Sequence, residues 1–131
     1  MDAKAGVGRW HDYMNSGGDA DLLSAQIADD AVFHSPVVHS PQAGKAKVMM
    51  YLLSAAKVLG NDSFTYVREI VDGNDALLEF TSEIDGIKIN GIDLIRFDDA
   101  GKIIDFKVMV RPLKAVNKLW EMMATQLQAA G

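Results

Sequence analysis

A chain of 131 residues with 49% apolar content is sized for one domain, residues 1–131, with a core of its own. The absence of cysteine excludes disulfides, thiol catalysis and cysteine zinc sites. Thirteen Lys and Arg against eighteen Asp and Glu leave a formal charge of −5 with no basic run, which argues against nucleic acid as a partner. Residues 1–6 carry no apolar core of a signal peptide, and no stretch approaches the roughly 20 apolar residues of a membrane span. The expected setting is cytoplasmic, away from membranes.

The first helix is predicted from Asp2 to Asn15, with Val7, Trp10, His11 and Met14 on one face and Gly17-Gly18 as its stop. Asp19 suits the cap of a second helix carrying Leu22, Leu23 and Ile27. Asp29-Asp30 reads as a turn into a short strand, Ala31 to Ser35, and Pro36 and Pro41 bracket an irregular loop. A third helix follows Gly44, with Val48, Tyr51, Leu52, Ala55 and Leu59 as its buried stripe and Gly60-Asn61 as its end.

From Phe64 the apolar period changes to two, giving strands Phe64–Val71, Asp75–Ile84, Ile87–Phe97 and Lys102–Arg111. Their connections, Asp72-Gly73-Asn74, Asp85-Gly86 and Asp98-Asp99-Ala100-Gly101, are hairpin signals, so the four form an antiparallel meander. Pro112 introduces a last helix, Leu113 to Gln128, with Leu113, Val116, Trp120, Met123 and Leu127 as its apolar stripe. Helices gathered on one face of an antiparallel sheet define an α+β fold.

Alternation assigns the sheet faces. Ile89, Gly91, Asp93, Ile95 and Phe97 share the core face with Ile104, Phe106, Val108 and Val110. Lys88, Asn90, Ile92, Leu94 and Arg96 lie outside with Ile103, Asp105, Lys107, Met109 and Arg111. Asp93 is out of place: an unpaired buried carboxylate costs several kcal/mol, so it needs a partner or a proton. His11, on the apolar stripe of the first helix, is the second anomaly. Each is either a structural polar residue satisfied within the core or a functional group, and if the two meet, each answers the other's burial.

Other constellations carry less. His34 and His39 flank the proline loop without a third ligand, so no metal is expected. Ser35 lacks the glycines of a nucleophile elbow. The glycines have no phosphate-loop spacing, and no cofactor is expected. The methionines read as core filler that would also suit an adaptable apolar pocket.

The order of elements resembles the nuclear transport factor two-like superfamily, which includes ketosteroid isomerases and SnoaL-like polyketide cyclases. The resemblance rests on Gly18-Asp19, Ala28-Asp29-Asp30-Ala31, Pro36, Pro41 and Gly44, Ile92-Asp93, Arg96-Phe97 and Ala100-Gly101-Lys102. It implies a cone-shaped, strongly bent antiparallel sheet wrapped by helices around an apolar pocket, and a homodimer through the outer sheet face. Ile92, Leu94 and Met109 among Lys88, Arg96 and Lys107 make that face unusually apolar.

By the same resemblance, Asp93 falls where the isomerases keep a protonated aspartic acid that helps bind an enolate, a worked case of pKa tuning. A gapless count from Ala28-Asp29-Asp30 puts His11 at the position of an oxyanion-hole tyrosine. Ser35 stands where the isomerases place their general-base aspartate, and a serine hydroxyl is a poor base near neutral pH. His34 is adjacent, and strand alternation points it away unless the irregular chain before Pro36 turns it back.

The site is therefore expected to hold Asp93, His11 and His34 as candidate catalytic groups. Trp10, Met14, Phe33, Ser35, Phe80, Ile95, Phe106 and Val108 are expected to line the pocket. Two states are open to Asp93: protonated, with its pKa raised by desolvation, or paired with a protonated His11 that lowers it, and histidine in place of the isomerases' tyrosine favours the pair. The expected ligand is a small hydrophobic carbonyl compound, handled by isomerase or cyclase chemistry or held without turnover by a binding or dimeric accessory protein.

Overall fold

The protein's structure, a computed structural model, describes residues 3–130. Helix α1 runs Ala3–Asn15, and the expected start at Asp2 lies outside the described residues. Gly17 and Gly18 turn the chain at φ of 78° and 95°, a region that glycine enters without strain. The Asp19 carboxylate then accepts the backbone N–H groups of Asp21 and Leu22, capping α2 (Ala20–Gln26). Ile27 is already extended and opens β1 (Ile27–His34). Asp29-Asp30, expected as a turn, lies inside that strand, where the pairing register shifts between Ile27 and Val32.

The proline-bracketed loop contains a short strand, β2 (Gln42–Ala43), that pairs with β1. Then come α3 (Lys45–Leu59), β3 (Thr65–Asp72), β4 (Asp75–Ile84), β5 (Ile87–Phe97), β6 (Ile103–Arg111) and α4 (Leu113–Ala130). The six strands make one bent, unclosed sheet in the order β2-β1-β6-β5-β4-β3. Strands β3 to β6 form the expected antiparallel meander, and β1 lies parallel to β6.

Two bulges decide which side chains face inward. The β5–β6 register shifts between Arg96 and Phe97, so Phe97 pairs with Ile103 while Arg96 pairs with Asp105. The extra residue is Ile104, and it restarts the alternation. Ile103, expected on the outer face, is therefore fully buried, and Ile104 is half-buried. In β3 the register shifts between Tyr66 and Arg68. That bulge lets Tyr66 and Val71, an odd number of residues apart, both pack against the core.

Helices α1, α3 and α4 pack on the sheet and α2 packs on α1 and α3, with stripes that differ from the expected ones. On α1 the buried set is Ala3, Gly6, Val7, Trp10 and Tyr13, while His11 and Met14 are half-buried. On α2 Leu23 is buried and Leu22 is exposed. On α3 Val48, Leu52, Ser54 and Val58 are buried, with Tyr51, Ala55 and Leu59 at the margin. On α4 Ala115 and Leu119 face Phe80 and Ile89, whereas Leu113 and Trp120 are 73% and 59% exposed. The apolar residues of α4 fill two sides of the helix, and contact with α3 and the sheet selects the Ala115 side. Among the described residues no helix is long and apolar enough to cross a membrane.

Candidate functional site

Between the sheet and its helices lies a cavity of about 60 Å3, enough for several waters by the roughly 10–15 Å3 that one requires. Phe33, Phe80, Phe106 and Val108 form its sheet side. Trp10, Tyr13 and Met14 close it from α1, the C-terminal half of α3 from Leu52 to Leu59 and the following Gly60 contribute a wall, and Leu119 and Met123 reach in from α4. Ser35, Pro36 and Val37 complete the rim.

The aromatic floor depends on a glycine. A Cβ at Gly91 would sit 2.5 Å from Phe80 Cζ and 2.8 Å from the Met109 carbonyl oxygen. Without it, the Phe80 ring lies over β5 and stacks on Phe64 with 5.1 Å between centroids.

One end of the cavity is polar. Asp93 projects from β5 at 6% exposure, and the Tyr66 hydroxyl donates to its Oδ2 at 2.6 Å. The Trp10 indole N–H donates to the Tyr66 oxygen at 2.9 Å. Among the described residues no cation lines the cavity. Burial therefore dominates and pushes the Asp93 carboxyl up to about 7, with the Tyr66 hydrogen bond opposing the rise. Tyr66 in turn is held well above its usual value by burial, by the charge of Asp93 and by its hydrogen bond to that carboxylate. Near neutral pH, Asp93 thus populates both protonation states, which is what a group that takes up and releases protons requires.

The structure brings together Asp93, Ser35, Trp10, Met14, Phe33, Phe80, Phe106 and Val108 around this cavity, and leaves out His11, His34 and Ile95. His11 does not meet Asp93. Its Nε2 lies 2.7 Å from Glu69 Oε1 at the surface, and its ring packs edge-on to Tyr66. A buried His11–Asp93 ion pair is therefore not formed, and the Asp93 shift runs opposite to the one expected. The α1 residue that reaches the polar end is Trp10, one position earlier.

His34 pairs with Asp105 at 2.9 Å and faces away from the cavity, as strand alternation requires. The Ser35 oxygen accepts the Val37 N–H at 3.2 Å, shaping the turn at the rim. Ile95 is fully buried with Val7 and Trp10 in the core. His39 is exposed on its loop. Among the described residues no three His, Cys, Asp or Glu side chains are placed to hold a metal ion.

Tyr66 and Tyr13 are the polar-tipped lining residues that the sequence reading missed. Phe64 and Tyr66 share a face by alternation, which was a usable signal. Continued without a bulge, that face would also bury Arg68 and Ile70, and this concealed it. Tyr13 lies 99% buried beside Trp10, and its hydroxyl has no hydrogen-bond partner among the described residues.

No match is found among curated proteins. Among solved structures, a steroid delta-isomerase from Pseudomonas aeruginosa is 38% identical, with a TM-score of 0.90 over 98% of this chain and 93% of that one. An uncharacterised protein with a cystatin-like fold from Silicibacter pomeroyi DSS-3 is 30% identical, with a TM-score of 0.84 over 92% and 84% of the two chains. A protein of unknown function from Mesorhizobium loti, described as NTF2-like, shares the fold at 21% identity and a TM-score of 0.71, over 84% and 91%. The SnoaL-like domain model matches residues 7–106, the span from within α1 to the first part of β6, which includes Asp93. By this match and the bent six-stranded sheet, the chain belongs to the SnoaL-like domain family, within the nuclear transport factor two-like fold and related to the ketosteroid isomerases.

Proposed function

We propose that the protein is a cofactor-free acid–base catalyst of the isomerase or polyketide cyclase type, acting on a neutral, hydrophobic carbonyl compound. The observation that carries this reading is Asp93: a carboxyl raised to about 7 at the polar end of a cavity otherwise lined almost wholly by apolar side chains. Similarity to the Pseudomonas aeruginosa steroid delta-isomerase supports the same reaction class. Among the described residues the cavity wall offers no cation for an anionic ligand, which favours a neutral one. Ionised Asp93 takes a proton from the carbon next to the carbonyl, and the electron pair of that C–H bond moves into an enolate. The protonated carboxyl then returns the proton to carbon. Ser35 does not share this work, since its hydroxyl is a weak base. His11 and His34 lie outside the cavity.

The test is exchange of the α-protons of hydrophobic ring ketones into D2O, followed by NMR. Asp93→Asn should lower the exchange rate by roughly 10²–10⁴-fold, the usual share of a general acid or base, with ketone binding retained. Full exchange activity in Asp93→Asn removes the proposal.

A second reading is a binding module that holds such a compound without turnover. It is favoured by Ser35, whose oxygen serves the rim turn and leaves the cavity with one carboxyl in place of a pair. Native mass spectrometry of freshly purified protein that shows a retained small molecule, together with no exchange activity, would select it. In either case we propose a homodimer through the outer sheet face, where Met109 is 51% exposed beside half-buried Ile92 and Leu94. Sedimentation showing only a 14.3 kDa species at micromolar concentration would refute the dimer.

A further inference from the structure

The Trp10–Tyr66–Asp93 chain has a direction that its chemistry imposes. An indole N–H donates and has no lone pair with which to accept. Trp10 therefore gives its proton to the Tyr66 oxygen, at 2.9 Å, and cannot receive the phenol's proton. That proton goes to Asp93 Oδ2, at 2.6 Å. An acid proton on Oδ2 directed at the same phenol would compete for this line of contact. The other oxygen, Oδ1, accepts no hydrogen bond from the described residues, yet it is not among the buried polar atoms sealed off without a partner. Asp93 lines the cavity, so Oδ1 is the oxygen that meets a ligand or water there.

Resting on the acid–base reading above, we infer that Trp10 is a positioning residue: acting through Tyr66, it confines the exchangeable proton of Asp93 to Oδ1, on the ligand side. Without the indole N–H, the Tyr66 oxygen is free to accept from an Oδ2–H group. The acid proton can then retreat into the Tyr66–Asp93 contact, where no ligand reaches it. Because each link of the chain donates toward the carboxyl, the chain also stabilises the ionised form and holds the titration of Asp93 below where burial alone would put it.

The other neighbours do not reproduce this effect. Asp93 stands opposite Leu78 on β4 and Val108 on β6, so no charge faces it across the strands. From α3 and α4 the lining is apolar. Glu69 on β3, paired with His11 of α1, acts on Tyr66 from the far side.

The experiment follows the Asp93 carboxyl by 13C NMR in the ligand-free protein, with the signal assigned by its loss in Asp93→Asn. Trp10→Phe keeps a ring against Phe106 and removes the N–H. The midpoint of Asp93 should rise by roughly half a pH unit or more in Trp10→Phe, and further in Tyr66→Phe, where the ionised form loses its donor. An unchanged or lower midpoint in folded Trp10→Phe overturns the inference.

A second measurement needs no substitution at Trp10. In the unaltered protein, the infrared carbonyl stretch of protonated Asp93 should lie at the lowered frequency of an acid carbonyl that accepts a hydrogen bond, and should move up in Tyr66→Phe. A stretch already at the free-carbonyl frequency means that Oδ2 accepts nothing, and overturns the inference as well. Both readings are made without substrate, so they fail independently of the catalytic proposal, which stands on the exchange activity.

Discussion

Tyr66 and Asp93 are joined by a 2.6 Å hydrogen bond although their strands are not neighbours, since β4 lies between β3 and β5. Two strand spacings amount to about 9.5 Å. Tyr66 therefore leans over β4, a reach that needs a long aromatic side chain on a bent sheet. The contact sets a polar group of one edge strand onto a carboxyl in the middle of the sheet.

Stability should fall as pH rises through the range that Asp93 governs. Its carboxyl is raised in the folded protein from 3.8 to about 7. The folded state thus binds the proton more tightly than the unfolded chain does. The contribution is fully present below about pH 4 and is lost as pH climbs through about 7. The displacement corresponds to a loss on the order of 4 kcal/mol. Asp75, held below its usual value by Arg96, acts with opposite sign and at lower pH, where its support is lost on acidification. Urea unfolding between pH 4 and 8 should show the decline in the native protein and a flatter profile in Asp93→Asn.

Removing His11 should leave Asp93 undisturbed. His11→Ala breaks a surface pair with Glu69 in which both side chains are over a third exposed, and such pairs contribute at most about 1 kcal/mol. NMR titration of Asp93 in this variant should give the native midpoint. A large displacement would mean that His11 acts on the carboxyl by a route other than direct contact.

Gly91→Ala should disturb the cavity floor. The added methyl meets the Phe80 ring on one side and the Met109 carbonyl on the other, and the backbone side cannot yield. Overpacking of this kind costs roughly 1–3 kcal/mol. Phe80 should move toward the cavity, lowering the thermal midpoint and ligand affinity together. Native stability in this variant would show that the floor is softer than its packing indicates.

The two sides of α4 should respond differently to substitution. Leu119 is 3% exposed and lines the cavity, so Leu119→Ala should cost about 2–5 kcal/mol and enlarge the space available to a ligand. Trp120→Ser, next in sequence and 59% exposed, should change the stability of the monomer by no more than about 0.5 kcal/mol. Denaturant unfolding of both variants measures the contrast, and equal losses would restore the stripe through Trp120 as the buried one.

The sequence by itself determined the order of the four helices and of the five longer strands, both boundaries of β4 and β5, and the inward face that carries Asp93, while the two-residue β2 was not legible in it. These are local properties, since Asp-Gly turns fix hairpin register and strict alternation fixes faces wherever no bulge intervenes. It also marked Asp93 as the residue whose burial needs explaining. Only the tertiary structure decided its partner.

His11 and Trp10 are adjacent on one helix, and a turn of about 100° per residue separates a side chain at the surface from one at the polar end of the cavity. The bulge after Tyr66 hid its inward face, because alternation continued along β3 would have placed Arg68 and Ile70 beside it. The buried side of α4 was likewise settled by packing, because a helix with apolar residues on two sides does not state which one its neighbours will cover.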